Sequence, residues 1–350
     1  MSQGLMERSA TPRDCGSALD GPTFAQWIAA AMVGAALLGG LVFDLPVTLK
    51  VLHGVFLLVF GLGVAWRLAA LACPPPAAAT PSSPPPDRWP RYTVIVPLVD
   101  EAEVAADLLR NLQRIDYPRD RLQVIVALEA HDLATQAAVR AAQPPAWIEV
   151  LVCPPGRPRT KPRACNVALA HATGEIVVVF DAEDAPDPLQ LREAAARFAA
   201  APATLACLQA PLRVPIARLP LFERQFALEY AALFEVMLSA YARWRLPFPL
   251  GGTSNHFRRA VLEAVGGWDA WNVTEDADIG MRLAARGYET GVLASPTWET
   301  PPDFKAWIPQ RTRWVKGYMQ TWGVHMRRPL AGGWRGFAAL QLTQIGRAHV

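Results

Sequence analysis

Asp181-Ala-Glu183-Asp184, with Asp187 close behind, puts carboxylates at the end of an unbroken apolar run, Ile176 to Phe180. Carboxylates spaced as Asp181-x-Glu183 can hold a hard divalent cation through oxygen, and that cation can bridge a diphosphate. A solvated acidic turn is the plainer reading of the same letters. Upstream, "PPGRPRTKPRACN" carries Arg157, Arg159, Lys161 and Arg163. An ammonium group facing a metal site would neutralise a diphosphate and stabilise it as a leaving group. Without such a partner, this stretch is a wet basic loop.

Two further constellations lie downstream. In "NVTEDADIGMRLAARGYET", Thr274, Glu275 and Asp276 precede a helical run that Gly287 can stop. Asp276 is a candidate general base for an attacking hydroxyl. A helix N-terminus favours its ionised form, so it would be charged at neutral pH but weakly basic, and positioning would supply most of the rate. An N-cap role for Thr274 or Asp276 is the commoner fate of such residues. In "FKAWIPQRTRWVKGYMQTW", Pro309 is expected at the first position of a helix. Gln310, Arg313 and Trp314 then share a face at i, i+3 and i+4. They offer a hydrogen bond, a fork for phosphate oxygens and a flat surface for a sugar ring. An interfacial amphipathic helix carrying Trp307, Trp314 and Trp322 is the alternative, and both can hold at once.

The elements around these residues predict a parallel sheet. "YTVIV" ending at Pro97, "RLQVIVAL" and "IVVVF" read as buried strands. Between them, Val104, Leu108, Leu112 and Ile115 share one helical face, and "RACNVALAHATG" is a short helix closed by Gly174. Strand and helix alternate with short connections, as crossover helices require. Ligands in such sheets sit outside the carboxyl ends of the strands. Asp100 with Glu101, Glu129 with Asp132, and Asp181 with Glu183 all fall there, and side by side they would line one crevice. The segment "LPLFERQFALEYAALFEVMLSAYARWRLPFPL" suits helices at a membrane boundary or, nearly as well, a buried core helix.

With 350 residues, the chain holds one large domain or two modest ones. A net charge of +3 and a pI near 8.7 are too mild to argue for nucleic acid. Basic residues in loops and after apolar stretches fit a protein facing a membrane surface. Cys15, Cys73, Cys153, Cys165 and Cys207 are scattered, odd in number and without metal-ligand spacing, which reads as reduced thiols. After an N-terminal tail (1–23), Phe24 to Phe43 carries no charge and is long enough to cross roughly 30 Å of hydrocarbon. A tight "DLPVTLK" turn and a return span over Val51 to Trp66 complete an expected membrane hairpin at 24–72, with Lys50 snorkelling at its end. Trp27 and Trp66 stand where interfacial aromatics belong. Arg67 favours both ends of the hairpin in the cytoplasm. A proline-rich, extended linker follows at 73–90, and the soluble unit at 91–328.

In this order, these pieces resemble the family 2 glycosyltransferases, above all their membrane-bound, cellulose-synthase-like branch. The resemblance runs from about Tyr92 to Arg328. "VIVPLVDEAEV" is similar to the opening nucleotide-binding strand and loop; "DAED" to the metal motif; "TED" to the catalytic base; "QRTRW" to the Gln-x-x-Arg-Trp signature; and Lys161 with Asn166 to a lysine–asparagine pair. It implies a GT-A fold, a UDP-sugar donor, and Mg²⁺ or Mn²⁺ at Asp181 and Glu183. Pro97, Glu101, Glu129, Asp132, Lys161, Asn166 and Asp181 would meet the donor. Gly252, Thr253 and Ser254, in "GGTSNHFRR", would meet the acceptor. Asp276, beside Glu275, would deprotonate the acceptor in an inverting reaction, with Gln310, Arg313 and Trp314 completing the catalytic set. The chain departs from the pattern at Val99, at Glu129-Ala130 with Asp132 displaced, and at Glu183 in place of aspartate.

The resemblance also implies a multi-pass enzyme of the inner membrane with a cytoplasmic catalytic domain, extending a polysaccharide in contact with membrane lipids and with envelope or export partners. A single addition to a lipid-linked or protein acceptor is the enzymatic alternative; a weakly active binding scaffold of an envelope complex is the non-enzymatic one. Residues 329–350 begin another apparent membrane segment and then close in "IGRAHV", a translation of a common sequencing-adapter stretch. The native frame is expected to be lost near Gln344.

Overall fold

A computed structural model describes residues 16–73, 88–216 and 219–347. Cys15 and most of the expected linker therefore lie outside the described residues. Two helices open the chain, Phe24–Phe43 and Leu45–Leu71. Each is long and apolar enough to cross a membrane, and the most apolar stretch of each has no buried residue. The turn expected through Lys50 is helical instead. The Asp44 carboxylate accepts from Val47 N at 3.1 Å and Pro46 sits in the first turn, so the second helix starts at once. Gly40 lets the pair approach: a Cβ there would stand 2.6 Å from Thr48 Oγ1.

The soluble unit is built on strands β1 (Tyr92–Leu98), β2 (Leu122–Glu129), β3 (Ile148–Cys153), β4 (Ile176–Val179), β5 (Ala185–Pro186), β6 (Leu205–Gln209), β7 (Leu212–Arg213), β8 (Asn255–Arg258), β9 (Glu289–Val292) and β10 (Thr297–Trp298). Seven of them form one sheet in the order β3-β2-β1-β4-β8-β6-β9, and β5-β10-β7 form a small second sheet. β1 to β4 pair in parallel, as expected, and so do β6 and β9. β8 runs antiparallel to both β4 and β6. This reversal has a consequence for the site. With Val179 opposite Asn255, the chain entering β8 must pass the carboxyl end of β4.

Helices cover both faces. Ala105–Gln113 buries Ala105, Leu108, Leu109 and Leu112 against the sheet, and Ile115 is buried just beyond its end. Ile176 to Phe180 is buried throughout, as an unalternating strand between two layers must be. Lys161–Leu169 ends before the expected Gly174, whose close approach to the backbone of Tyr92 and Thr93 leaves no room for a Cβ. Leu221–Ala231 continues through a π-helical turn, Ala232–Met237, into Leu238–Arg243. Phe226, Tyr230, Phe234, Leu238 and Tyr241 on this rod are buried in the core, whereas Leu221 and Leu228 face outward. Trp66 joins the second apolar helix to the rod: its Nε1 donates to Tyr241 Oη at 2.8 Å and its ring lies 4.8 Å from that of Trp244.

The Phe304–His325 helix begins five residues before the position expected from Pro309, which lies inside it. Asp303 caps this earlier start through Ala306 N at 2.8 Å. Phe304 and Trp307 pack against Phe222 with ring centroids 5.3 and 5.5 Å away, holding the added turn. The last helix, Gly333–Arg347, packs on the Glu275–Ala285 and Phe304–His325 helices and buries Ala339 and Leu340.

Candidate active site

Asp181 leaves β4 in a tight acidic turn. Its N–H donates to Asp184 Oδ2 at 2.7 Å and to Thr253 Oγ1 at 3.2 Å. The Thr253 hydroxyl also contacts the buried Asp184 carboxylate, so Asp184 organises the turn from within while Asp181 and Glu183 face a cavity. Gly251 to Ser254 lie beside this turn because β8 runs back along β4; Ser254 N donates to Val179 O at 2.8 Å. Lys161, at the first position of its helix, forms an ion pair with Asp181 and donates to Gly252 O at 2.6 Å. A Cβ on Gly252 would stand 3.7 Å from Asp276 Oδ2, 3.9 Å from Lys161 Nζ and 4.0 Å from Asp181 Oδ2. The metal candidate, the ammonium and the base candidate thus converge on one glycine.

A cavity of about 1320 Å³ surrounds this point, lined by Glu101, Glu183, Glu275, Gln310, Arg313 and Trp314 among others. Asp276 sits in the first turn of Glu275–Ala285 and does not cap it across the turn; its Oδ1 accepts from Ala277 N at 2.8 Å. Thr274 holds the N-cap position with no side-chain cap bond.

Electrostatically the site is short of positive charge. Burial, then Asp181 and Glu183, push Glu101 up to about 7, and burial followed by Asp181 raises Glu183. Burial, then Asp276, pushes Glu275 up to about 8. Burial works against the charged form of Lys161, but Asp181 and then Glu275 outweigh it and hold the ammonium well above its usual range. Glu101 Oε2 and Asp184 Oδ1 are buried without a hydrogen-bond partner. Among the described residues no group of three or more His, Cys, Asp or Glu side chains is set to enclose a metal. An open site completed by ligand oxygens fits Asp181 and Glu183; a closed cage does not.

Several expected residues do not line this cavity. Pro97 is buried within β1. Glu129 is buried against Arg163 Nη1 at 3.2 Å. Asp132 caps the Leu133–Ala141 helix and accepts from Asp100 N at 2.7 Å; burial would raise its carboxyl, but these bonds hold it below the usual range. Asn166 binds both backbone groups of Trp268, and Ser254 is buried with its hydroxyl 2.6 Å from Thr297 Oγ1. Other lining residues were not expected. Glu299, raised first by burial and then by Asp184, lies on the cavity wall, as does Glu229 with its partner Arg311. The Arg311 guanidinium stands 4.8 Å over the Trp314 ring. Trp66 and Arg67 of the second apolar helix also line the cavity, a placement that sequence distance conceals.

A family model described as glycosyltransferase like family 2 matches residues 90–317. The chain belongs to glycosyltransferase family 2. Among relatives, it is 28% identical over 260 residues to beta-monoglucosyldiacylglycerol synthase of Synechocystis sp., matching 71% of this chain and 52% of that protein. It is 25% identical over 250 residues to the UDP-forming cellulose synthase 1 catalytic subunit of Komagataeibacter xylinus, matching 68% of this chain and 32% of that one. The chain therefore spans about half the length, or less, of these curated relatives. Among solved structures, the mannosyltransferase PcManGT of Pyrobaculum calidifontis, in complex with GDP-Man and Mn2+, superposes with a TM-score of 0.66 at 26% identity. That match covers 85% of this chain and 84% of the other. The family 2 chain has the expected GT-A architecture, α/β with a mostly parallel sheet.

Proposed function

We propose that this family 2 chain is a membrane-bound inverting glycosyltransferase that moves a sugar from a nucleotide diphosphate donor, expected to be a UDP-sugar, onto an acceptor hydroxyl. The convergence of Asp181, Lys161 and Asp276 around Gly252 carries the reading. Asp276 accepts the acceptor's proton as the hydroxyl oxygen bonds to the anomeric carbon. The bond from that carbon to the diphosphate breaks on the opposite face, and the electron pair leaves with the diphosphate. Lys161 and Arg313 stabilise the departing charge, and Trp314 orients the acceptor ring. Asp181 and Glu183 would hold Mg²⁺ or Mn²⁺, which when bound would supply further charge neutralisation at the diphosphate. The Mn²⁺ in the Pyrobaculum enzyme's complex supports that choice, and its GDP-Man keeps the base of the donor open to test.

The two apolar helices support attachment to a membrane, and the inner membrane with the catalytic unit on its cytoplasmic side is the placement this reading takes. A growing polysaccharide, as the cellulose synthase relative suggests, and a lipid headgroup, as the Synechocystis relative suggests, are both acceptors for this chemistry. The test is release of nucleoside diphosphate by the purified protein across a panel of UDP- and GDP-sugars, with and without chelator. The reading expects one donor to be consumed and the consumption to stop on removing divalent metal. No release with any donor, or release indifferent to chelation, rejects it.

A further inference from the structure

The cavity has two chemically different halves. Around Gly252 it is lined by carboxylates and Lys161. Away from Gly252 it runs to the Leu45–Leu71 helix, where Val59, Leu62, Gly63 and Trp66 form its wall with one charged side chain of that helix, Arg67, and Leu233 and Met237 line it as well. Val59, Leu62 or Gly63, and Trp66 are spaced as one stripe of a helix. The stripe is held in place rather than loosely apposed, because Trp66 is bonded to Tyr241 Oη at 2.8 Å. Val59 and Leu62 remain 37% and 55% exposed, so this half is open along the same helix that is apolar enough to cross a membrane.

A glycan chain is a poor occupant of such a wall. Along Val59, Leu62, Leu233 and Met237 its hydroxyls would leave water for aliphatic side chains that offer no hydrogen bonds, and the Trp66 N–H on the same wall is already given to Tyr241. An acyl or prenyl chain loses nothing polar there and gains contact with Val59, Leu62, Leu233 and Met237. We infer that the acceptor is a membrane lipid with a free hydroxyl, its headgroup at Asp276 and its tail along the Leu45–Leu71 helix, entering sideways from the bilayer. The inference rests on the glycosyltransferase reading above and narrows its acceptor. One hydroxyl then receives one sugar: the lipid oxygen bonds to the anomeric carbon, its proton goes to Asp276, and the diphosphate leaves with the electron pair of the broken bond.

The test uses the full chain in nanodiscs containing a diacylglycerol whose acyl chain carries a diazirine. After irradiation, cross-links are mapped by mass spectrometry, and UDP affinity is measured in parallel by calorimetry. Cross-links should concentrate on Leu62, Leu233 and Met237 rather than on Leu52 or Leu58 of the same helix. Gly63→Trp, which fills the apolar half, should lower them by at least about fivefold, and Met237→Trp should act alike from the opposite wall. UDP affinity should stay within about twofold in both variants. Cross-links confined to Leu52 and Leu58, or undiminished in both variants, overturn the lipid acceptor. So does recovery of donor label in a water-soluble or insoluble polymer instead of the organic phase. Loss of nucleotide binding by the unsubstituted protein would instead count against the glycosyltransferase reading, so the two failures are separable.

Discussion

Gly317 of the Phe304–His325 helix lies flat against Thr274, the residue that precedes Glu275 and Asp276. A Cβ on Gly317 would stand 2.6 Å from Thr274 Oγ1 and 2.8 Å from its backbone nitrogen. One turn on, Thr321 Oγ1 accepts from Asn272 Nδ2 at 2.9 Å, and farther along His325 Nε2 meets Asp278 Oδ1 at 2.9 Å. This buried seam fixes the helix of Gln310, Arg313 and Trp314 to the helix of Asp276.

Gly317→Ala should therefore act at a distance. The two helices must part by a fraction of an ångström or more, and a misplacement of about 1 Å can cost roughly a hundredfold in rate. Turnover should fall by at least about tenfold, and UDP affinity should fall less, only as far as Arg313 on the same helix is moved from the leaving group. Unchanged turnover would show that the seam does not set the site's geometry.

Asp276→Asn should abolish sugar transfer and leave UDP and metal binding intact. The amide keeps the shape but accepts no proton. Transfer at near the original rate, measured by donor consumption, sinks the assignment of the base.

Asp181→Ala should lose metal and nucleotide affinity together, because Asp181 is both a metal candidate and the partner of Lys161. In the unsubstituted protein, titration calorimetry should find divalent cations bound weakly until UDP is added, since two carboxylates leave most of the coordination to the diphosphate. Tight binding of metal without nucleotide contradicts the open site.

Trp314→Ala should cut turnover severely with little change in UDP affinity, since a stacking contact of about 1 kcal/mol positions the acceptor. It also uncovers Arg311, which lies over that ring. Arg313→Ala should lower both UDP affinity and rate, by removing a cation from the leaving group. Equal turnover per folded molecule across Gln310→Ala, Arg313→Ala and Trp314→Ala, with altered melting temperatures, would assign the three to holding the helix rather than to chemistry.

Acid should weaken the fold through His256. It is fully buried, 2.5 Å from Tyr92 Oη and 3.1 Å from Gln190 Oε1, and burial pulls its pKa down to about 3. The unfolded chain takes up this proton near pH ~6.5, so the stabilisation is complete above that pH and drains away as the pH falls towards 3. Between pH 7 and 5 the loss is on the order of 2 kcal/mol. The raised carboxyls of Glu101 and Glu275 act in the opposite sense over this range. Denaturant unfolding of the protein and of His256→Gln, compared at the two pH values, isolates the histidine. Identical pH dependence in the two rejects its role.

The letters alone determined a good deal. Ile176 to Phe180 is apolar at every position and rich in β-branched residues, the pattern of a strand covered on both faces, which puts the acids after it at a strand end. The Lys161, Asp181 and Asp276 motifs were legible because each couples a distinctive residue to a local break in pattern. Pairing decided the rest. The antiparallel entry of β8 brings Gly252 to Asp181, and no local pattern encodes which strand a segment will pair with. The same limit hid the bond from Asp100 N to Asp132 and the pairing of Glu129 with Arg163, each between residues far apart along the chain, although the cap that Asp132 gives Thr135 N is local. It also hid the stripe from Val59 to Trp66 in the cavity wall. An apolar helix announces its length and hydrophobicity in sequence. Which of its faces meets lipid and which meets a catalytic cavity depends on contacts such as Trp66 with Tyr241, and those exist only once the chain has folded.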